Sequence, residues 1–136
     1  MNNKQNQAME YHAQGYNCAQ AVALPFCEEM GLEPTVVKRA TEGFGAGMGG
    51  RTQTCGALSG AVFVAGMLKA DAVNPGSKMD TYKVCAKMSE RFVSECGSGV
   101  CAVIKGLTGG KMLCSCNDCI ACGVRLVEEF IRNNAK

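Results

Sequence analysis

The stretch Thr52-Gln53-Thr54-Cys55-Gly56-Ala57-Leu58-Ser59-Gly60-Ala61-Val62-Phe63-Val64-Ala65-Gly66-Met67-Leu68 carries no charged side chain. It is too short, and too rich in Gly, Ser and Thr, to serve as a transmembrane helix. Its length and composition instead predict a helix buried in a protein core, from about Thr54 to Ala70. Thr52 or Thr54 can cap its start. Gly56 and Gly60 are four residues apart and share one face, so another backbone or a cofactor can come close there. A buried helix of this kind needs other helices around it, and the rest of the chain supplies them.

Upstream, small or apolar residues recur at Ala8, Tyr11, Gly15, Cys18, Ala19, Val22, Phe26 and Met30, near the 3.6-residue period. This predicts a helix from about Gln5 to Met30, kinked or divided at Pro25 and stopped at Gly31. Pro34 opens a second helix, running to about Glu42 with Val36, Val37 and Ala40 facing inward. Gly43-Phe44-Gly45-Ala46-Gly47-Met48-Gly49-Gly50-Arg51 holds five glycines in eight residues and reads as a loop. Downstream, Asn74-Pro75-Gly76 is a turn, and Ser77 caps a fourth helix to about Cys96. Gly97-Ser98-Gly99 ends that helix. Val100 to Leu107 has room for a short helix. A last helix starts at Asn117 or Asp118 and runs to Arg132. No alternating β-branched run with hairpin turns occurs. The expected architecture is all-α, a bundle of about five helices with the glycine-rich loop before the third, and residues 1–136 form one domain.

Composition narrows the function. Of 136 residues, 14 are basic and 12 acidic, and 47% are hydrophobic. A formal charge of +2 gives no electrostatic case for nucleic acid or an anionic membrane surface. A single histidine, His12, leaves no multi-histidine metal site. The N-terminal residues Met1 to Gln7 contain no apolar stretch, so a cytoplasmic location without membrane insertion is expected. The outlier is cysteine, with ten residues. In a reducing compartment, cysteines at this density point to redox chemistry or soft-metal binding.

Six cysteines are dispersed: Cys18, Cys27, Cys55, Cys85, Cys96 and Cys101. Cys55 follows the glycine segment at the expected start of a helix, where free N–H groups and the helix dipole favour a thiolate; Arg51 is close in sequence. Cys18 reads as a mid-helix packing residue. Cys27 and Cys85 fit the apolar stripes of their helices, and Cys96 abuts a helix end. The other four are crowded into Cys114-Ser115-Cys116-Asn117-Asp118-Cys119-Ile120-Ala121-Cys122. Cys119 and Cys122 share a helix face and can address one metal or form a redox pair. Cys116, Cys119 and Cys122 reproduce the opening of a bacterial ferredoxin run, without its fourth cysteine and proline. Gly123 after Cys122 excludes covalent haem attachment. The glycine segment lacks the preceding strand and the Gly-Lys-Ser/Thr of nucleotide loops. Gly45, Gly47, Gly49 and Gly56 are better suited to bring backbone donors near a thiolate or sulfide.

The order of Asn17-Cys18-Ala19-Gln20, Gly43 to Gly49, Thr54-Cys55-Gly56-Ala57-Leu58-Ser59-Gly60, Cys101 and a C-terminal cysteine before the last helix resembles the C-GCAxxG-C-C family of redox-active proteins. The resemblance spans about residues 10 to 130. It implies a helical fold of this length, genes often adjacent to transporter genes, and hence an unknown, transporter-associated redox partner. It also implies four working cysteines: Cys18, Cys55, Cys101 and one of Cys119 or Cys122, with Cys119 favoured by its distance to Val127-Glu128-Glu129-Phe130. Some haem-bearing relatives hold an iron–sulfur centre on such cysteines.

Two redox functions follow. The four thiolates can hold a [2Fe–2S] cluster for electron transfer. Alternatively Cys55 attacks in thiol–disulfide exchange with Cys18 or Cys101 resolving. A non-enzymatic module for Zn or Cu(I), led by Cys114, Cys116, Cys119 and Cys122, is the alternative from a different class.

Overall fold

The structure, a computed structural model, describes residues 2–134. It is all-helical, and its contacts between extended segments reduce to one isolated antiparallel bridge, Thr54 to Val100. The helices are α1 (Asn3–Ala13), α2 (Cys18–Ala23), α3 (Cys27–Met30), α4 (Pro34–Thr41), α5 (Gly56–Lys69), α6 (Lys78–Cys96), α7 (Cys101–Ile104) and α8 (Cys116–Asn134). This is more helical pieces than the five expected, because breaks that local periodicity hides divide the longer runs.

The first run is the clearest case. It divides at two places. At Gly15 the backbone turns to φ +103°, a conformation open to glycine. Helix α2 then restarts at a capping box: the Gln20 N–H donates to Asn17 Oδ1, and the Asn17 N–H donates to Gln20 Oε1, both at 2.9 Å. Cys18 is therefore the first residue of a helix and not a mid-helix residue. At Pro25 the chain passes through a 3-10 turn, Leu24–Phe26, into α3, and Gly31 ends it in the left-handed region as expected.

Helix α4 starts at Pro34, but its inward face is Val37 and Thr41; Val36 and Ala40 are exposed. The buried pair is i, i+4, and the Thr41 hydroxyl is satisfied by the Val37 carbonyl at 2.7 Å. The glycine segment is not a simple loop. It forms a 3-10 turn, Glu42–Phe44, and a wide turn, Gly47–Arg51, with left-handed backbone at Ala46 between them and at Met48 and Arg51 within the second. At the last helix, Ser115 provides the cap, its Oγ accepting from the Asp118 N–H at 3.1 Å, so α8 begins at Cys116 and not at Asn117 or Asp118.

Helix α5 lies at the centre, against α2, α6 and α8; α1 covers α2 and α8. The core contains Val22, Phe26, Val64, Phe92, Ile104, Ile120, Val124 and Val127, all fully buried. Two contacts bring backbones unusually close. A Cβ on Gly60 would lie 2.6 Å from the Ala19 carbonyl oxygen, and one on Gly123 would lie 2.8 Å from the Ala57 carbonyl oxygen. Gly60 on α5 and Gly123 on α8 thus let α2 and α8 approach α5 at backbone distance.

Gly60→Ala should destabilise the fold by about 1–3 kcal/mol, because the clash is with main chain that has no rotamer to give. Gly66→Ala, on the same helix with nothing within 4 Å of its Cβ position, should stabilise it by about 0.5–1 kcal/mol. Denaturant midpoints of the two variants measure the contrast.

Candidate redox site: a cavity walled by four helix starts

The close approach of α2 and α5 has a chemical consequence. A Cβ on Gly56 would sit 3.2 Å from the Ala19 nitrogen and 3.3 Å from Cys18 Cβ. Cys18, at the first position of α2, is thereby held beside Cys55, the N-cap of α5. Asn17 and Gln20 secure this geometry from outside: Asn17 Nδ2 donates to the Glu42 carbonyl and Gln20 Nε2 to the Lys38 carbonyl, each at 2.9 Å. Every residue of Asn17-Cys18-Ala19-Gln20 thus has a task, two as caps and ties, one as the contact for Gly56 and Gly60, and one as a thiol.

Cys101 arrives by a different route. The segments around Thr54 and Val100 pair in extended conformation. The Cys55 N–H donates to the Gly99 carbonyl at 2.7 Å, and the Cys101 N–H donates to the Gln53 carbonyl at 2.8 Å. The two cysteines are each held by the strand segment that precedes the other. Gly47 completes this wall. Its φ is +57°, and a Cβ there would lie 2.6 Å from Cys101 Cβ. Cys116, the first residue of α8, closes the fourth side.

These cysteines line one cavity of about 260 Å³, together with His12, Asn17, Ala46, Gly47, Arg51, Gly56 and Lys105. Cys55 is the cap of its helix, and Cys18, Cys101 and Cys116 are each the first residue of theirs. Four helix N-termini therefore face the hollow; Asn17 and Ser115 cap two of them, while at α5 the Ala57 and Leu58 N–H groups reach the Cys55 sulfur, and the helix dipoles favour negative charge there. Lys105 adds a full charge: its Nζ is buried without a hydrogen bond of good geometry, and Cys116, Cys119 and Cys18 around it favour the ammonium.

The thiols are sharply differentiated. Cys55 is lowered to about 6. Its thiolate accepts a hydrogen bond from Cys119, the N–H groups of Ala57 and Leu58 add to this, and Lys105 helps, together outweighing burial. Cys18 is pushed up to about 12, by burial first and then by Cys116 and Cys55 beside it. Burial raises Cys101 as well. Cys119 is driven strongly upward, chiefly because its proton is held in the hydrogen bond to Cys55. At neutral pH Cys55 is a thiolate beside protonated Cys18, Cys101 and Cys119.

The remaining sulfurs form a separate, interior group. Cys96, Cys114 and Cys119 lie with their sulfurs within 4.8 Å of one another, close enough to share a metal ion. Cys122 is buried beside them in contact with Cys96. Of the residues singled out in the sequence, Cys18, Cys55 and Cys101 share the cavity. Cys119 touches Cys55 from behind but is not in the cavity wall, and Cys122 is one step further inside. Gly47 and Gly56 line the cavity. Gly45 packs against the Asn17 side chain, and Gly49 faces open space. Cys27 and Cys85 lie outside both groups. Sequence reasoning passed over Cys116 and Lys105 as cavity residues. The signal for Cys116 was Ser115, a cap three residues before Asp118; Lys105 carries no local signal.

Fold and site together define an all-helical protein with a cysteine-walled cavity. The chain matches the family model described as "Putative redox-active protein (C_GCAxxG_C_C)" over residues 16–130, and it belongs to that family. No curated protein and no solved structure matches it.

In the reduced, metal-free protein, alkylation of Cys55 should follow a pH curve with its midpoint near 6, rising as pH rises through that value. In Cys119→Ala the midpoint should move upward, because the thiol donor is lost. Mass-spectrometric peptide mapping after pulsed iodoacetamide treatment reads both.

Proposed function

We propose that this protein is an electron carrier whose centre is held in the cavity by Cys18, Cys55, Cys101 and Cys116. The observation that carries the reading is the shape of the sulfur arrangement. The interior cysteines crowd to a point, whereas the cavity cysteines ring a hollow. A hollow walled by four sulfurs suits a group that brings inorganic atoms of its own, of the [2Fe–2S] type, more than a single ion. Such a centre on four thiolates is anionic, and the helix starts and the buried Lys105 ammonium offer the compensation it requires. When bound, the group would supply one-electron transfer. The chain's own part is to present the sulfurs, to direct N–H groups at them, and to shield the inner side with the apolar core; hydrogen bonds to sulfur and limited solvent access are what tune potential in such sites. Partner and cellular location belong to the same proposal: a redox partner associated with a transporter, met in the cytoplasm. No helix among the described residues is long and apolar enough to cross a membrane.

A second reading is supported by the Cys55–Cys119 contact. The Cys55 thiolate attacks a substrate disulfide, releasing one thiol. Cys119, once deprotonated, attacks Cys55 of the mixed disulfide and releases the second. Two electrons pass from the protein dithiol to the substrate, and a Cys55–Cys119 disulfide remains.

Anaerobic reconstitution with iron and sulfide separates the two. The cluster reading expects a coloured protein with equal iron and acid-labile sulfide, lost in Cys18→Ser, Cys101→Ser and Cys116→Ser. A colourless, iron-free product overturns it. A reversible two-electron titration with a Cys55–Cys119 cross-linked peptide, abolished in Cys55→Ser, establishes the dithiol.

A further inference from the structure

Behind the cavity, the interior cysteines come from three pieces of chain. Cys96 is the last residue of α6, Cys114 lies in the irregular segment between α7 and α8, and Cys119 and Cys122 are on the first turns of α8. Cys96, Cys119 and Cys122 are buried and Cys114 is half-buried. Three of the sulfurs already lie within 4.8 Å of one another. A tetrahedral tetrathiolate zinc ion, with Zn–S of about 2.3 Å, sets its sulfurs about 3.8 Å apart, so only a small contraction separates this group from a ligand set. Cys122 supplies the fourth sulfur. It touches Cys96, and its i, i+3 relation to Cys119 puts both on one face of α8.

We propose that Cys96, Cys114, Cys119 and Cys122 form a closed structural site for a thiophilic d10 cation, with Zn²⁺ the ion its ligand number fits. The donor set is all sulfur, as such a cation prefers, and four protein ligands leave no open position for catalysis. The net negative charge of the centre would meet Lys105 on the side of Cys119 and Arg91 on the side of Cys122.

The ion would act as a cross-link. Lys105, Gly106 and Leu107 are still bonded back to α7, but from 108 to 114 the segment is held by little else: the bond from the Leu113 N–H to the Ile104 carbonyl at 2.8 Å, and Leu113 packed against Gly97. Leu107, Met112 and Leu113 are all more than half exposed. Tying Cys114 to α6 and α8 anchors this segment. It also sets the position of Cys116, two residues on, in the cavity wall. The site is thus separate from the proposed redox centre but determines where one of its cysteines stands.

The test uses the full-length, reduced protein carrying Cys18→Ser and Cys101→Ser, which disables the cavity and leaves the interior group intact. Cobalt(II) is the probe, followed by Zn²⁺. One equivalent of Co²⁺ should give the visible absorption of a tetrahedral thiolate complex and be displaced by one equivalent of Zn²⁺. X-ray absorption of the zinc form should count four sulfurs, falling to three in an added Cys122→Ser. Cys96→Ser should abolish stoichiometric binding. Cys114→Ser, outside the helices, repeats that loss in a variant whose helical circular dichroism remains, so misfolding is separated from ligand loss. Zn²⁺ should also slow proteolysis within residues 105–115. No stoichiometric cobalt binding in the cavity-disabled protein, or binding that survives Cys96→Ser and Cys114→Ser, overturns the proposal. Either result leaves the iron and sulfide experiment on the intact cavity unaffected.

Discussion

The close contact of α5 with its neighbours is the constraint on which the site depends. Gly60 meets Ala19 and Gly123 meets the Ala57 carbonyl at distances that exclude any side chain, and Gly56 meets Ala19 at one that leaves almost no room for it. A helix usually keeps its partners 8–10 Å away at the axis, set by the side chains between them. Here there is nothing between, so the starts of α2 and α5 lie side by side and their thiols share one space. Larger residues at these positions would leave every cysteine in the sequence and still pull the sulfurs apart.

The second organising feature is electrostatic. Sulfur sits at or next to the first position of α2, α5, α7 and α8, and all four helix starts open on one cavity. N–H groups without an intrahelical partner are an obligatory by-product of starting a helix. Some are taken by side-chain caps, as at Asn2 before α1, Asn17 before α2 and Ser115 before α8. At α5 those of Ala57 and Leu58 face the Cys55 sulfur, joined by the buried Lys105 ammonium. One thiol, Cys55, is acidified in this setting, while Cys18 and Cys101 are raised by burial first and then by the charge of neighbouring sulfurs, Cys55 among them. The same geometry that accepts an anionic centre therefore also prepares a single reactive thiolate when the centre is absent.

The two sulfur groups are physically continuous through the Cys55–Cys119 hydrogen bond, yet their surroundings differ. The cavity group is open, ringed by backbone donors and accompanied by cations. The interior group is compact and set in apolar packing beside Ile120 and Val124. An open ring and a closed knot ask for different occupants, and this division accounts for eight of the ten cysteines.

Much of the fold was legible in the chain. Pro34, Pro25, Gly31 and Gly97 mark helix ends by backbone chemistry that acts within a few residues, and the uncharged stretch after Arg51 announced a buried central helix. Local chemistry also contained the capping box Asn17-x-x-Gln20, which places Cys18 at a helix start; periodicity alone obscured it. Misplaced inward faces, as at Val36 and Ala40, arose because the direction a short helix turns to the core is set by its neighbours. Which sulfurs meet was decided only in three dimensions. Cys101 reaches Cys55 through a single extended pairing between residues 53–55 and 99–101, and it is Cys116, first residue of a helix capped by Ser115, and not Cys119 that stands in the cavity wall. Contacts between distant segments carry no periodic trace in the sequence, since they depend on how closely whole helices can pack, and here that closeness rests on three glycines.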